Sequence, residues 1–305
     1  MLRVDKVIKP WKESAALNDH INLYGFWSET AFLTKSEDLG MVEVRVGSRV
    51  RGFKPGDQVY ARPPQDRIGS FAELISMNED AVAIMPKKLT MEEAASIPLV
   101  GLTAWQALIE RANLKKGQKV LIHAGSGGVG TFAIQLAKHL GAIVATTTSA
   151  ANLDLVKSLG ADTAIDYKTT DFEKVLSDYD VVLNSLGTET LNKSLQVLKP
   201  GGKLISISGR PDPDFAKDMG ASWILRQVMR LLSYRIRKKA KRHHVSYSFL
   251  FMKADGDQLR AITPLIDSGI IRPVVDRVFP FESTKEAMAY VEHGRAKGKV
   301  IVKVR

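Results

Sequence analysis

The stretch VLIHAGSGGVGTFAIQLAKHL, residues 120–140, constrains the fold more tightly than any other part of the chain. An apolar, β-branched run passes straight into a glycine cluster and then into a helix-periodic pattern, so the order strand, turn, helix is written into about twenty residues. Gly125, Gly127 and Gly130 satisfy G-x-G-x-x-G in that setting. Gly125 is expected to permit the tight turn, Gly127 to let the backbone approach a pyrophosphate, and Gly130 to let the helix pack on the strand. The first N–H groups of the helix have no acceptor within it and stand at the positive end of its dipole, an arrangement suited to phosphate. A glycine-rich packing turn without a ligand is the plain alternative.

The same alternation continues beyond residue 140. Strands are predicted over residues 119–124, 143–147, 163–166, 181–184, 203–207 and 247–252, with helices over 129–140, 152–159, 172–176 and 191–198. Strands alternating with helices of this length imply an α/β fold, a doubly wound parallel sheet that binds its ligand beyond the carboxyl ends of the strands. SLGAD places Gly160 where a helix end needs a positive φ, and LKPGGK, residues 198–203, separates a helix from a strand. Residues 46–64 use a different vocabulary, of strands and turns around Pro55-Gly56-Asp57. DRVFPF and KGKVIVKV, flanking a helix over residues 284–293, are again strand-like, so the C-terminus is expected to return to the β-rich part. With 305 residues the chain is long enough for two domains. The division expected is residues 1–98 with 253–305 for the β-rich domain and 99–252 for the sheet that holds the cofactor.

The end of the second strand bears on which dinucleotide is bound. A fold selecting NAD puts a carboxylate about twenty residues past the glycines, to take the ribose hydroxyls. Here Thr147, Thr148 and Ser149 occupy that corner, followed by Ala150, Ala151 and Asn152 rather than a lysine or arginine. Hydroxyls can bond a 2′-phosphate that a carboxylate would repel, so NADP(H) is the expected cofactor. Tyr167, after the third strand, is a further candidate for the 2′-phosphate, or else a packing residue on the rim.

The chain has no cysteine, which removes disulfides, thiolate nucleophiles and sulfur-ligated zinc, and suggests a reducing cytoplasm. No run of about 18 apolar residues predicts a membrane span, and the first residues show no secretory signal. His20, His123, His139, His243, His244 and His293 show no metal-ligand spacing. His123, in the strand before the glycines, is expected to be a satisfied buried imidazole, and Asp276 to be structural. Eight of the eleven net positive charges fall in residues 226–244, which contain eight Lys or Arg and no acid. There Trp223, Ile224, Val228, Leu231, Leu232 and Ile236 recur at helical spacing. The favoured reading is a helix covering the cofactor domain with its charges solvated, so nucleic acid and membrane are not expected partners; docking on an anionic surface is the other reading.

The segments PLVGLTAWQAL (98–108), GQKVLIHAGSGGVG (117–130), LGAD with IDY (159–167), LKPGGK and RPVVDRVFPFE (272–282) together resemble the zinc-independent quinone oxidoreductase branch of the medium-chain dehydrogenase/reductases. The resemblance covers roughly 85% of the chain, from about Val46 onward. It implies a Rossmann domain beside a GroES-like catalytic domain with the active site between them. It also implies hydride transfer from NADPH to a quinone or to an enal or enone, with hydrogen-bond donors polarising the carbonyl in place of zinc. Carried over, it sets Thr103 near the nicotinamide and Gly127, Gly128 and Val129 at the pyrophosphate, with Ser126 and Gly130 also counted among the cofactor-binding residues. Thr148, Ser149 and Tyr167 fall at the 2′-phosphate, and Asn184, Ser185 and Leu186 on the adenosine side. Ser208 and Gly209 fall on the nicotinamide side, and Phe251 and Lys299 on the outer wall. Tyr60 is the one catalytic candidate from the β-rich part, with an ordinary core position as its alternative. The resemblance further implies a homodimer through the sheet edge at residues 247–252. Residues 1–39 depart from the family pattern: only IKPWK and EDLG echo it, and the usual substrate-pocket asparagine is not identifiable. That departure leaves open a second function, a catalytically impaired NADPH-binding relative acting through its basic helix.

Overall fold

The computed structural model describes residues 20–29, 38–64 and 74–304. It opens with strands β1 (His20–Glu29), β2 (Asp38–Val46), β3 (Gln58–Ala61), β4 (Leu74–Asn78) and β5 (Val82–Ile84), and the helices α1 (Met91–Ala95) and α2 (Pro98–Trp105) come after them. The alternating part comprises β6 (Lys119–Ile122), α3 (Gly128–His139), β7 (Ile143–Thr148), α4 (Leu153–Ser158), β8 (Thr163–Asp166), α5 (Phe172–Val175), β9 (Tyr179–Asn184), α6 (Thr188–Val197) and β10 (Leu198–Ser206). After these come α7 (Pro213–Asp218), α8 (Trp223–Leu232), α9 (Tyr234–Arg242), β11 (Ser246–Phe249), α10 (Gly256–Asp267), β12 (Val275–Pro280), α11 (Thr284–Glu292) and β13 (Lys299–Lys303).

Strands β6 to β11 form one parallel sheet in the order β11-β10-β9-β6-β7-β8. The order reverses between β6 and β9, and the glycine turn leaves β6 at that point, the place where a sheet of this kind binds its ligand. The sequence explains why these strands lie inside. Alternate residues serve opposite faces: Val120, Ile122, Val144, Val181, Leu183 and Ile205 enter one apolar cluster. Their neighbours Leu121, Ala145, Val182 and Leu204 enter the other. A strand covered on both faces reads as a continuous apolar run, as VVL in β9 does, with all six of its residues buried. Gly160 has φ +108° at the end of α4, as its position in SLGAD predicts. LKPGGK is not simply a connector: β10 starts at Leu198 and its pairing with β9 is interrupted until Lys203.

The other sheet has seven strands, β12-β13-β1-β2-β3-β5 with β4 also paired to β1. The return of the C-terminus is therefore real, with β13 antiparallel to β1. Within residues 1–39, where the sequence echoes the family pattern only at IKPWK and EDLG, the described residues include a strand. The backbone of residues 20–29 is a central strand, flanked along one edge by β2 and along the other by β4 and β13 in turn. Its sequence, HINLYGFWSE, mixes polar residues and glycine into a β-rich stretch, and ladder hydrogen bonds to three partners override that weak pattern. The IKPWK segment lies outside the described residues.

The basic segment also differs from expectation. It forms two helices rather than one, interrupted at Ser233, whose buried hydroxyl donates to the Met229 carbonyl. α9 buries Ile236 and Ala240, but α8 buries none of its residues, so it does not cover the cofactor domain.

Helix α10 docks on the β-rich sheet beside β5. Asp255 caps it, accepting from the Gln258 N–H at 2.9 Å, and Gly256 stands so close to the Val82 carbonyl that a side chain there would collide with backbone. Gly256→Ala is expected to lower the unfolding free energy by about 1–3 kcal/mol, read from urea denaturation midpoints at unchanged m.

Candidate cofactor site

The turn is built as the spacing requires, with one change of role. The residue that takes positive φ is Ala124, at +52°, not Gly125. Gly125 is needed instead because a methyl group there would enter the side chain of Thr146 on β7. The Gly125 N–H donates to the Thr147 carbonyl at 2.9 Å, which holds the turn against that strand. Gly130 meets the Ala124 carbonyl and the backbone of Gly125, so α3 lies directly on the turn, as expected of the third glycine. At Gly127 a Cβ would find only the Ala124 carbonyl at 3.3 Å, which leaves its outer side open. Gly127 is the N-cap of α3 and no side chain caps it, so the first N–H groups of the helix keep their donor capacity.

A segment from far along the chain closes the turn on its other side. The Gly298 N–H donates to the Ser126 carbonyl at 2.8 Å, and Gly127 and Gly298 form an isolated parallel bridge. A Cβ on Gly128 would come within 2.9 Å of the Lys299 side chain and 3.2 Å of Val100. Lys299 is buried and its N–H donates to the Val274 carbonyl.

At the ends of β6 and β7 the hydroxyl corner is a connected network. Thr148 donates to Ser126 Oγ at 3.0 Å, and Asn152 Nδ2 reaches Ser126 Oγ at 3.1 Å and Ser149 Oγ at 3.3 Å. The buried Asn152 Oδ1 has no hydrogen-bond partner among the described residues. In sequence Asn152 stands where a cation would be wanted, and the signal for its actual role is a short polar side chain just after a hydroxyl cluster. Tyr167 is exposed, with its N–H on the Thr148 carbonyl.

The other candidates lie around the strand ends and beyond. Asn184 is fully buried at the end of β9, its Nδ2 on the Leu186 carbonyl at 2.8 Å and its Oδ1 unpartnered among the described residues. Ser208 donates to the same carbonyl at 2.6 Å, and Ser185 donates to that of His123. Gly209 abuts Ser206 and Tyr247. Thr103 is buried in α2 and donates to Leu99 one turn earlier. Phe251 lines a cavity of about 430 Å³ with Gln106, Glu110 and Gln258. The sequence carries no warning of Gln106, whose buried amide bonds both the N–H and the carbonyl of Lys253 at 2.9 Å and so ties the exit of β11 to α2. Tyr60 is a correction. It is buried in the core, its hydroxyl donating to the Leu259 carbonyl at 2.7 Å, and burial pushes that hydroxyl above the usual tyrosine range. It packs α10 against β3 rather than facing a cleft.

Two kinds of observation fit a bound dinucleotide: an uncapped helix start behind a glycine turn too tight for side chains, and buried amide oxygens left open at Asn152 and Asn184. The sequence aligns with a zebrafish (Danio rerio) mitochondrial protein named as an NAD(P)H oxidoreductase, 38% identical over 85% of this chain and 68% of that one. The chain belongs to the zinc-binding dehydrogenase family. The family model of that description matches residues 159–302. An Arabidopsis thaliana chloroplastic protein named NADPH-dependent alkenal/one oxidoreductase is 34% identical over 87% of this chain and 62% of its own length. The solved quinone oxidoreductase of Coxiella burnetii superposes with a TM-score of 0.80 at 26% identity, over 94% of this chain and 91% of that one. This member of the family joins a Rossmann sheet to a GroES-like one, in the quinone oxidoreductase-like branch of the medium-chain dehydrogenase/reductases. The metal in the family's description does not fit its residues. The chain has no cysteine, and the described residues hold no grouping of three His, Asp or Glu able to take an ion.

His123 sits beneath the turn, Nδ1 3.0 Å from Thr147 Oγ1 and Nε2 2.9 Å from Ser194 Oγ, edge-on to Phe172. Burial pulls its pKa down from 6.5 to about 3, so the ring is neutral at physiological pH. The unfolded chain then takes up the proton first: this contribution to stability is complete above about pH 6.5 and falls away as the pH drops toward 3. Between pH 7 and about pH 5 the loss from this group is expected to be roughly 2 kcal/mol. His123→Gln should flatten that pH dependence in urea unfolding monitored by circular dichroism.

Proposed function

We propose that this chain is an NADPH-dependent oxidoreductase that reduces quinones or α,β-unsaturated carbonyls without a metal. The observation that carries the reading is the glycine turn opening beside the linked hydroxyls and amide of Ser126, Thr148, Ser149 and Asn152. When bound, NADPH supplies the hydride. The free N–H groups at the start of α3 receive the pyrophosphate. Ser126, Thr148, Ser149 and Asn152 offer hydrogen bonds to the 2′-phosphate, with Tyr167 at the rim. Asn184, Ser185 and Leu186 border the adenosine, while Ser208, Gly209 and Thr103 lie toward the nicotinamide. The stem of Lys299 supports the turn from behind. Polarising the substrate carbonyl falls to hydrogen-bond donors of the cleft, in a site that excludes water. The names of the aligned relatives, an NAD(P)H oxidoreductase and an alkenal/one oxidoreductase, support the reaction class.

The division proposed keeps residues 99–252 as the cofactor domain. β11 is one of the two edges of the parallel sheet, and pairing of two such edges would make a homodimer. The cytoplasmic placement rests on the missing cysteines and is tested by fractionation, since the relatives are named for mitochondria and chloroplasts. No helix among the described residues is long and apolar enough to cross a membrane.

The deciding experiment tracks loss of NADPH absorbance against a panel of quinones, enals and enones, beside the same panel with NADH. Turnover with NADPH preferred is expected; binding without turnover on every acceptor overturns the reductase reading. Ser149→Asp places a carboxylate beside the 2′-phosphate site and is expected to raise the KM for NADPH at least about tenfold, a cost of about 1.4 kcal/mol, while improving that for NADH.

A further inference from the structure

Helix α8 presents an apolar row to solvent. Ile224, Val228, Leu231 and Leu232 recur one turn apart and are 44–76% exposed, and Trp223, at the start of the helix, is 70% exposed. Such a row on a helix of a globular protein is ordinarily turned toward the core. Beyond the break at Ser233, α9 anchors the pair through Ile236 and Ala240 and carries Arg235, Lys238, Lys241 and Arg242 on its exposed side. A groove of about 900 Å³ lies between the two helices, α6 and the loop of Ser208–Arg210, and on the helix side Val228, Leu231 and Leu232 line it together with Arg235, Lys238 and Arg242. Apolar and cationic side chains thus open toward the same space.

We propose that the α8–α9 pair docks this protein on a bilayer surface rich in anionic lipid, with the lipid phosphates on the cations and the α8 row seated at the acyl boundary. Charge complementarity selects this occupant. Residues 226–244 hold eight Lys or Arg and no acid, so a two-fold contact between copies would set cation against cation. A nucleic acid would satisfy the charges and leave the apolar row in water. An anionic membrane meets both, and a tryptophan at the polar–apolar boundary is the usual companion of such a surface. The proposal does not depend on catalysis, because its readout is lipid binding.

The test uses the full chain and vesicles of phosphatidylcholine alone or with about one-third phosphatidylglycerol. Sedimentation with the anionic vesicles only, released by high salt, is expected. A blue shift of emission on binding that is lost in Trp223→Phe would locate the contact. The double variant Ile224→Ser/Leu231→Ser should bind at least tenfold more weakly with unchanged melting temperature and NADPH binding, and Lys238→Glu/Arg242→Glu should abolish binding. Absence of binding at low salt, or equal binding to neutral vesicles, overturns the proposal. So does a dimer that the serine variants convert to a monomer, or duplex DNA bound equally well by wild type and the serine variants.

Discussion

The Ala124 carbonyl oxygen and the bare Cα of Gly130 occupy a space in which neither could tolerate another atom. That contact sets where α3 begins, and the start of α3 sets where its free N–H groups point. Gly125, pressed against Thr146, fixes the same turn from the side of β7. The hydroxyl corner depends on this, since Ser126 can bond Thr148 at the end of β7 and Asn152 in the turn after it only if the glycine turn lies close against both. One close packing of backbone on backbone therefore positions both the free N–H groups at the start of α3 and the hydroxyl corner beside them.

Beneath the turn the sheet is apolar on both faces, and the exceptions are instructive. His123 and Asn184 are buried polar residues at the carboxyl ends of adjacent strands. His123 has a partner for each nitrogen and serves packing. Asn184 has a partner for its amide nitrogen and none among the described residues for its oxygen. An unpartnered buried acceptor is costly in a finished core and sensible beside a ligand.

The parallel sheet was legible because its information is local. Each strand is a short apolar run, glycine and proline punctuate the helix ends, and the G-x-G-x-x-G spacing fixes the switch point. The β-rich sheet was only partly legible. HINLYGFWSE carries no clean alternation, and its place at the centre of seven strands depends on partners as distant as residues 299–303. Tyr60 shows the same limit. An aromatic residue at the end of a strand reads equally as a ligand contact or as core, and the acceptor that decides it, the Leu259 carbonyl, lies 199 residues further along the chain. The basic segment failed differently: its periodicity was correct, but periodicity says which side of a helix is apolar and not which way that side is turned.

The bridge between Gly127 and Gly298 has a mechanical meaning. Any rotation of one sheet against the other must leave this point fixed or break the hydrogen bond from Gly298 to Ser126. The start of α3 and the turn that precedes β13 are thus riveted together, and the rivet sits beside the glycine turn itself.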